Sequence, residues 1–125
     1  MILGDIFLWD TTQAIGHERR WKYHVYICPL DWRAGHTFLF ISKANYGCDY
    51  EIRKADYPFL TLDSSFISCT GIVHYDDKEL NAFPKKAVGR LAGAHLKELN
   101  SAIGAGGAMV AWEELRVCNA LNAVP

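Results

Sequence analysis

The stretch from Gly4 to Ile27, GDIFLWDTTQAIGHERRWKYHVYI, constrains the fold of this chain more than any other. It opens as a strand over Met1–Asp10, with Phe7 and Trp9 on one face and Ile6 and Leu8 on the other. Apolar residues on both faces imply a strand that is covered on both sides. A polar segment, Thr11–Trp21, then holds Gly16, His17, Glu18, Arg19 and Arg20. The chain resumes as a second strand, Lys22–Ile27, alternating Tyr23, Val25 and Ile27 against Lys22, His24 and Tyr26. The cations or potential cations His17, Arg19, Arg20 and Lys22 thus crowd into six residues beside Trp21 and Tyr23. A basic loop on a rigid two-stranded rim suits a phosphate-bearing partner. The plain alternative is a solvated hairpin with ordinary surface charge.

Beyond this hairpin the pattern stays short-stranded. Cys28-Pro29 ends the second strand, because proline cannot donate to a ladder. Thr37–Ile41 is a continuous apolar run suited to a central strand, and Asp49–Lys54 alternates as a half-exposed one. Ser64–Cys69 and Ile72–Tyr75 read as two short strands, or one bent at Gly71. Asp76-Asp77 starts a helix-like turn, with Asp76 as its cap. From Lys85 to Ile103, after Pro84, the apolar residues Val88, Leu91, Ala92, Leu99, Ala102 and Ile103 recur at helical steps. Gly104–Gly107 breaks that helix, and Ala108–Leu121 reads as a second, apolar on much of its circumference. Strands first and helices last predict one α+β domain, mainly β, over residues 1–125. A strongly bent sheet or partly open barrel occupies about residues 1–80, and a helical tail about 84–121.

A net charge of −1 excludes a generally polyanion-binding chain, so any nucleic-acid contact must come from a local patch. The cysteines, Cys28, Cys48, Cys69 and Cys118, are widely spaced with no CxxC pair, which argues against a zinc knuckle. No basic segment and long apolar run precede Asp10, so no secretory signal is expected. The thiols are expected to be reduced and mostly buried in a cytoplasmic protein. No apolar run approaches bilayer-spanning length, and no membrane partner is expected. Asp31, Asp49, Glu51 and His36 lack a regular ligand spacing, so neither metal nor other cofactor is expected.

Three separated places resemble the MazF/PemK toxin family. Gly4–Asp10 followed by Gly16-His17-Glu18 looks like that family's opening strand and loop. Phe38–Ile41 ending at Ser42 is similar to its central strand, which ends in Thr or Ser. Ser65–Leu80, followed by Val88-Gly89-Arg90-Leu91, is similar to its strand pair and the segment before its helix. Order and spacing carry the likeness over about 100 of the 125 residues. The resemblance implies an SH3-like (PemK/MazF-type) small barrel, here with two C-terminal helices. It also implies a toxin of a toxin–antitoxin system that cuts single-stranded RNA without a metal. Cytoplasmic location, a cognate antitoxin in the basic groove and a homodimer are implied with it.

By that resemblance Ser42 is the strand-end hydroxyl, and Lys22 stands where the family usually has Arg. Lysine supplies charge without the bidentate fork. Arg19 and Arg20 are further candidates for stabilising charge, and His17 for moving protons near neutral pH. His24 is a second proton-transfer candidate and, with Trp21, Tyr23 and Lys43, is expected to contact RNA. Each also has a structural reading: solvated charge for the cations, core or dimer contact for the aromatics. The family's Gln and Arg in the strand pair fall here on Gly71 and Val73. Two other functions remain open on this scaffold. One is a non-catalytic protein-binding toxin of the CcdB kind, gripping its target through Ala108–Leu121. The other is a catalytically inactive barrel acting as an adaptor.

Overall fold

The structure, a computed structural model, describes residues 1–13 and 19–125. Its centre is three antiparallel strands: β1 (Asp5–Thr11), β2 (Arg20–Pro29) and β3 (Gly35–Ser42). β4 (Tyr50–Arg53) and β5 (Ser64–Ile67) extend the sheet beyond β3, so the order runs β4-β5-β3-β2-β1. The same edge of β3 is shared. Its Ile41-Ser42 end pairs with β5, and its Gly35–Phe38 end with β6 (Val73–Asp76). Between the two, Ser68 N–H still bonds the Phe40 carbonyl at 2.9 Å, and the chain through Gly71 belongs to neither strand. A register shift between Tyr26 and Cys28 adds curl to β2. Among the described residues the result is a curled antiparallel half-barrel of seven strands with three helices, α+β and mainly β.

The sheet is covered on both sides, as the apolar residues on both faces of the first strand require. One face carries Ile6, Val25, Ile27, Leu39 and Ile41 beneath the two long helices. The other carries an aromatic core of Phe7, Trp9, Tyr26, Phe38 and Tyr75. There Trp9 stacks between Phe7 and Phe83, each with ring centroids 4.7 Å away, and its indole N–H donates to the Pro84 carbonyl at 2.7 Å.

The last third departs from the periodicity. Val88–Leu91 is captured by the free edge of β1: Val88 N–H bonds the Ile6 carbonyl at 2.8 Å and Leu91 N–H that of Gly4 at 2.9 Å. Gly89-Arg90 forms β7, and Arg90 Nε pairs with the Asp5 carboxylate at 2.7 Å. The expected helix over 85–103 is therefore wrong in its first two turns. Val88 and Leu91 serve a strand edge, and the sheet reaches well past residue 80. Helix α2 spans Gly93–Gly106; it runs through Gly104 and Gly106 of the expected break and stops at the last residue of that stretch, where Gly107 adopts φ 62°. Helix α3 is Ala111–Leu121. The short turn of helix α1 (Asp77–Leu80) carries a full capping box between Asp76 and Glu79, as the cap reading anticipated. Among the described residues no helix is long and apolar enough to cross a membrane.

Among the described residues His24 is the one fully buried imidazole of the aromatic face, at 0% exposure. Its Nδ1 lies 2.8 Å from the Lys22 carbonyl, so it must donate, which leaves Nε2 to accept from the Tyr75 hydroxyl at 2.8 Å. The ring is thus satisfied while neutral, and burial pushes its pKa down to about 4. Because the unfolded chain protonates near 6.5, the folded state loses stability as pH falls from 6.5 toward 4. Denaturant midpoints should drop by the equivalent of ~3 kcal/mol across that window, and His24→Phe should flatten this part of the profile.

Among the described glycines, Gly35 has the closest backbone neighbours. A Cβ there would stand 2.3 Å from the Tyr75 carbonyl oxygen and 2.8 Å from Asp76 Cα, atoms that cannot rotate away. Gly35→Ala is expected to force β3 and β6 apart at about 1–3 kcal/mol, read as a lowered thermal midpoint.

Candidate functional site

Lys22 and Ser42 meet because of strand register. Tyr23 lies opposite Ile41 in the β2–β3 ladder. The next antiparallel step sets Lys22 opposite Ser42, and residues so paired point to the same face. Lys22 Nζ donates to Ser42 Oγ at 3.1 Å. This is the same face as the aromatic core, so the lysine stem runs over its mouth, with Nζ 5.5 Å from the centroid of Phe40. Burial lowers the Lys22 pKa below its usual 10.5, and the neighbouring cations Arg20 and Lys43 lower it further. A half-desolvated cation held against a hydroxyl is poised to exchange a water contact for an anion.

Two hollows open on this pair, of about 260 and 280 Å³, and both are lined by Arg20, Lys22, Ser42 and Tyr46. The first continues to Gln13, Asp49 and the polar side chains of Ser68 and Thr70. The second continues to Trp21, Lys43 and Thr61. The segment bearing Tyr46 is tied down by its own side chains. Asp49 Oδ2 accepts from Tyr46 N–H at 2.9 Å, Asn45 Oδ1 from Gly47 N–H at 2.9 Å, and Asp49 Oδ1 from Cys69 N–H at 3.0 Å. A larger hollow of about 630 Å³ lies between the β2–β3 turn and α3. Its cation, Arg116, is already paired with Asp31 and packed 5.4 Å over the Trp32 ring. It offers aromatic surface but no free cation–hydroxyl pair.

Of the residues singled out in the sequence, Lys22, Ser42, Arg20, Lys43 and Trp21 gather around one spot. Arg20 and Trp21 belong to β2 with Lys22 and not to a loop, so their placement is set by the sheet. Trp21 is 67% exposed. Arg19 is elsewhere: it pairs with Asp10 at 3.3 Å and lines neither hollow. Tyr23 faces inward, donating its hydroxyl to the Phe59 carbonyl at 3.1 Å, and also lines the second hollow. His24, expected to touch RNA, is sealed in the aromatic core, because alternation turns it toward Phe7 and Phe40. His17 lies outside the described residues.

The residues not anticipated are Tyr46, Asp49, Gln13, Ser68 and Thr70. The run Asn45-Tyr46-Gly47-Cys48-Asp49 carries a turn signature around an aromatic, which is the one signal that could have marked it. Only Cys69 is fully buried; the other three thiols are half-buried. Burial raises the pKa of Cys28, Cys118 and Cys69, the last to about 12, so these thiols are not activated nucleophiles. Among the described residues no group of three or more His, Cys, Asp or Glu is arranged to hold a metal ion.

No protein-family model matches the chain, and no curated protein sequence matches it.

If Arg20 and burial set the Lys22 ionisation, Arg20→Gln should raise the Lys22 pKa toward 10.5. Titration of the lysine Nζ resonances by NMR measures this directly. An unchanged Lys22 value would assign the shift to burial and Lys43.

Proposed function

We propose that this chain is a metal-independent endoribonuclease acting on single-stranded RNA, the toxin of a toxin–antitoxin pair built on a PemK/MazF-type SH3-like barrel. The observation that carries the reading is the 3.1 Å contact between Lys22 Nζ and Ser42 Oγ, flanked by Arg20 and Lys43 in the wall of the two hollows. The chemistry it supports is internal transfer. The ribose 2′-oxygen attacks its neighbouring phosphorus, the bond to the 5′-oxygen breaks, and a cyclic phosphate and a 5′-hydroxyl result. The 2′-hydroxyl proton leaves to water, and the departing 5′-oxygen takes one up. Charge that builds on the phosphorane is stabilised by the Lys22 ammonium and the Arg20 guanidinium, preorganised on a rigid strand. Ser42 orients Lys22 and keeps its own hydroxyl proton available to a phosphate oxygen. A lysine with a lowered pKa gives up a proton to a leaving oxygen more readily than an ordinary one. A cognate antitoxin covering the cationic groove, a homodimer and a cytoplasmic setting belong to the same proposal.

The test is direct. Purified protein in EDTA should cut single-stranded RNA and leave cyclic-phosphate ends, detected by resistance to 3′-end tailing until the cyclic phosphate is removed. Lys22→Ala should lower the rate by ~10²–10³, the loss typical of one preorganised charge-stabilising donor. The rate should also fall on the alkaline side at a pH below 10.5, as the depressed Lys22 loses its proton. RNA left intact by folded protein would end the proposal.

One observation favours a second reading, a protein-gripping toxin: α3 keeps Trp112 and Leu115 exposed, at 51% and 64%. Its other face, through Val117 and Leu121, is sunk in the core of its own barrel. Deleting the helix would therefore unfold the domain. Leu115→Asp is the fair probe: loss of cellular toxicity with RNA cleavage intact in vitro would favour this alternative.

A further inference from the structure

The paired hollows suggest how a single strand would lie. They share the Lys22–Ser42 pair, and each is slightly smaller than the ~300–1,000 Å³ typical of a drug-sized ligand site. One flat heterocycle suits each better than an extended molecule does. Among the described residues Tyr46 is the only aromatic side chain lining both, and it is 63% exposed. An exposed tyrosine on a surface loop is ordinary, but this one is not loosely held. Its own N–H is bonded to Asp49, whose other carboxylate oxygen is anchored to Cys69 N–H just past β5, while Asn45 Oδ1 closes the turn through Gly47 N–H. The loop is fixed from both ends, so the ring is presented to the groove at little further ordering cost. Trp21 stands exposed in the second hollow, a further flat surface beside the shared pair.

We infer that the two hollows accommodate the bases of two successive nucleotides of a single strand, on either side of a phosphate at Lys22–Ser42, and that Tyr46 is the stacking platform that holds them in register. The inference rests on the RNA reading above but concerns binding, not cleavage. Bases reach such a surface only when they are free of a duplex, which makes Tyr46 a determinant of strand type. Stacking accepts any base face, so the platform alone imposes no sequence. The asymmetry between the hollows, one holding the Asp49 carboxylate and the other Lys43, is where base preference would arise.

The experiment uses a fluorescein-labelled 2′-O-methyl oligoribonucleotide, which lacks the attacking hydroxyl and so separates binding from chemistry. Binding to the full chain is read by anisotropy, alongside an unmodified strand scored for cutting. Tyr46→Ala is expected to weaken binding of the single strand by about fivefold or more, as loss of one stacked base predicts, while Tyr46→Phe stays close to wild type. A duplex of the same sequence should show no dependence on Tyr46. Thermal midpoints confirm that both variants are folded. If Tyr46→Ala binds as wild type does, or Tyr46→Phe is as weak as Tyr46→Ala, the platform is overturned, whether or not the protein cuts RNA. If binding depends on the Tyr46 ring and the unmodified strand stays intact, the platform stands and the nuclease reading falls. If the wild-type chain does not bind the oligonucleotide, both fall.

Discussion

Tyr23 sits opposite Ile41, and from that one register the rest of the molecule follows. A slip of a single residue would exchange the two faces of every strand it touches. In the observed register Val25 and Leu39 face the helices, while His24, Phe38 and Phe40 face the aromatic side. The same register brings Lys22 and Ser42 together at the open end of the ladder. Core and candidate site are thus two consequences of one pairing, and the site inherits the stiffness of the sheet.

A sheet buried on both faces must also dispose of polar groups. The aromatic side does so through a chain of bonds: the Thr11 hydroxyl donates to the Tyr75 oxygen, Tyr75 to His24 Nε2, and His24 Nδ1 to the Lys22 carbonyl. Each donor finds an acceptor with the imidazole neutral, so no charge is buried there. Lys22 ends the same face where the core opens to solvent, and it keeps its charge at the expense of some hydration. One strand therefore carries a silent histidine and a half-buried cation two residues apart, distinguished only by depth.

The helical tail is part of the same construction. α2 and α3 place Leu99, Ile103, Val117 and Leu121 over the inner face, and Arg116 pins α3 to the β2–β3 turn through Asp31. Near the N-terminus of α3, Glu113 accepts from Ile72 N–H at 3.1 Å, beside Gly71 in the wall of the first hollow. The segment between β5 and β6 is thus steadied from outside by α3.

From the sequence alone, the two-sided burial of β1, the alternation of β2, the Asp76 cap and a β-rich body with helices behind it were all legible. Each is a local matter of side-chain period or capping chemistry. The clustering of cations near Lys22 was legible for the same reason. What only the tertiary structure decided was depth and neighbourhood. His24 looked like Lys22 in the alternation, yet Phe7 and Phe40 bury the one and leave the other at the rim. Arg19 and Arg20 adjoin in the chain, yet only Arg20 lines the hollows, while Arg19 pairs with Asp10. Val88 and Leu91 fit a helical period, but the unpaired edge of β1 offered their backbone better partners than a first helical turn would. Tyr46 reached the site through a turn whose bonds run to Cys69, twenty residues away along the chain. Period and composition describe a residue's own stretch of backbone; which other stretch lies across from it depends on pairings between segments far apart in sequence, and those exist only once the sheet has closed.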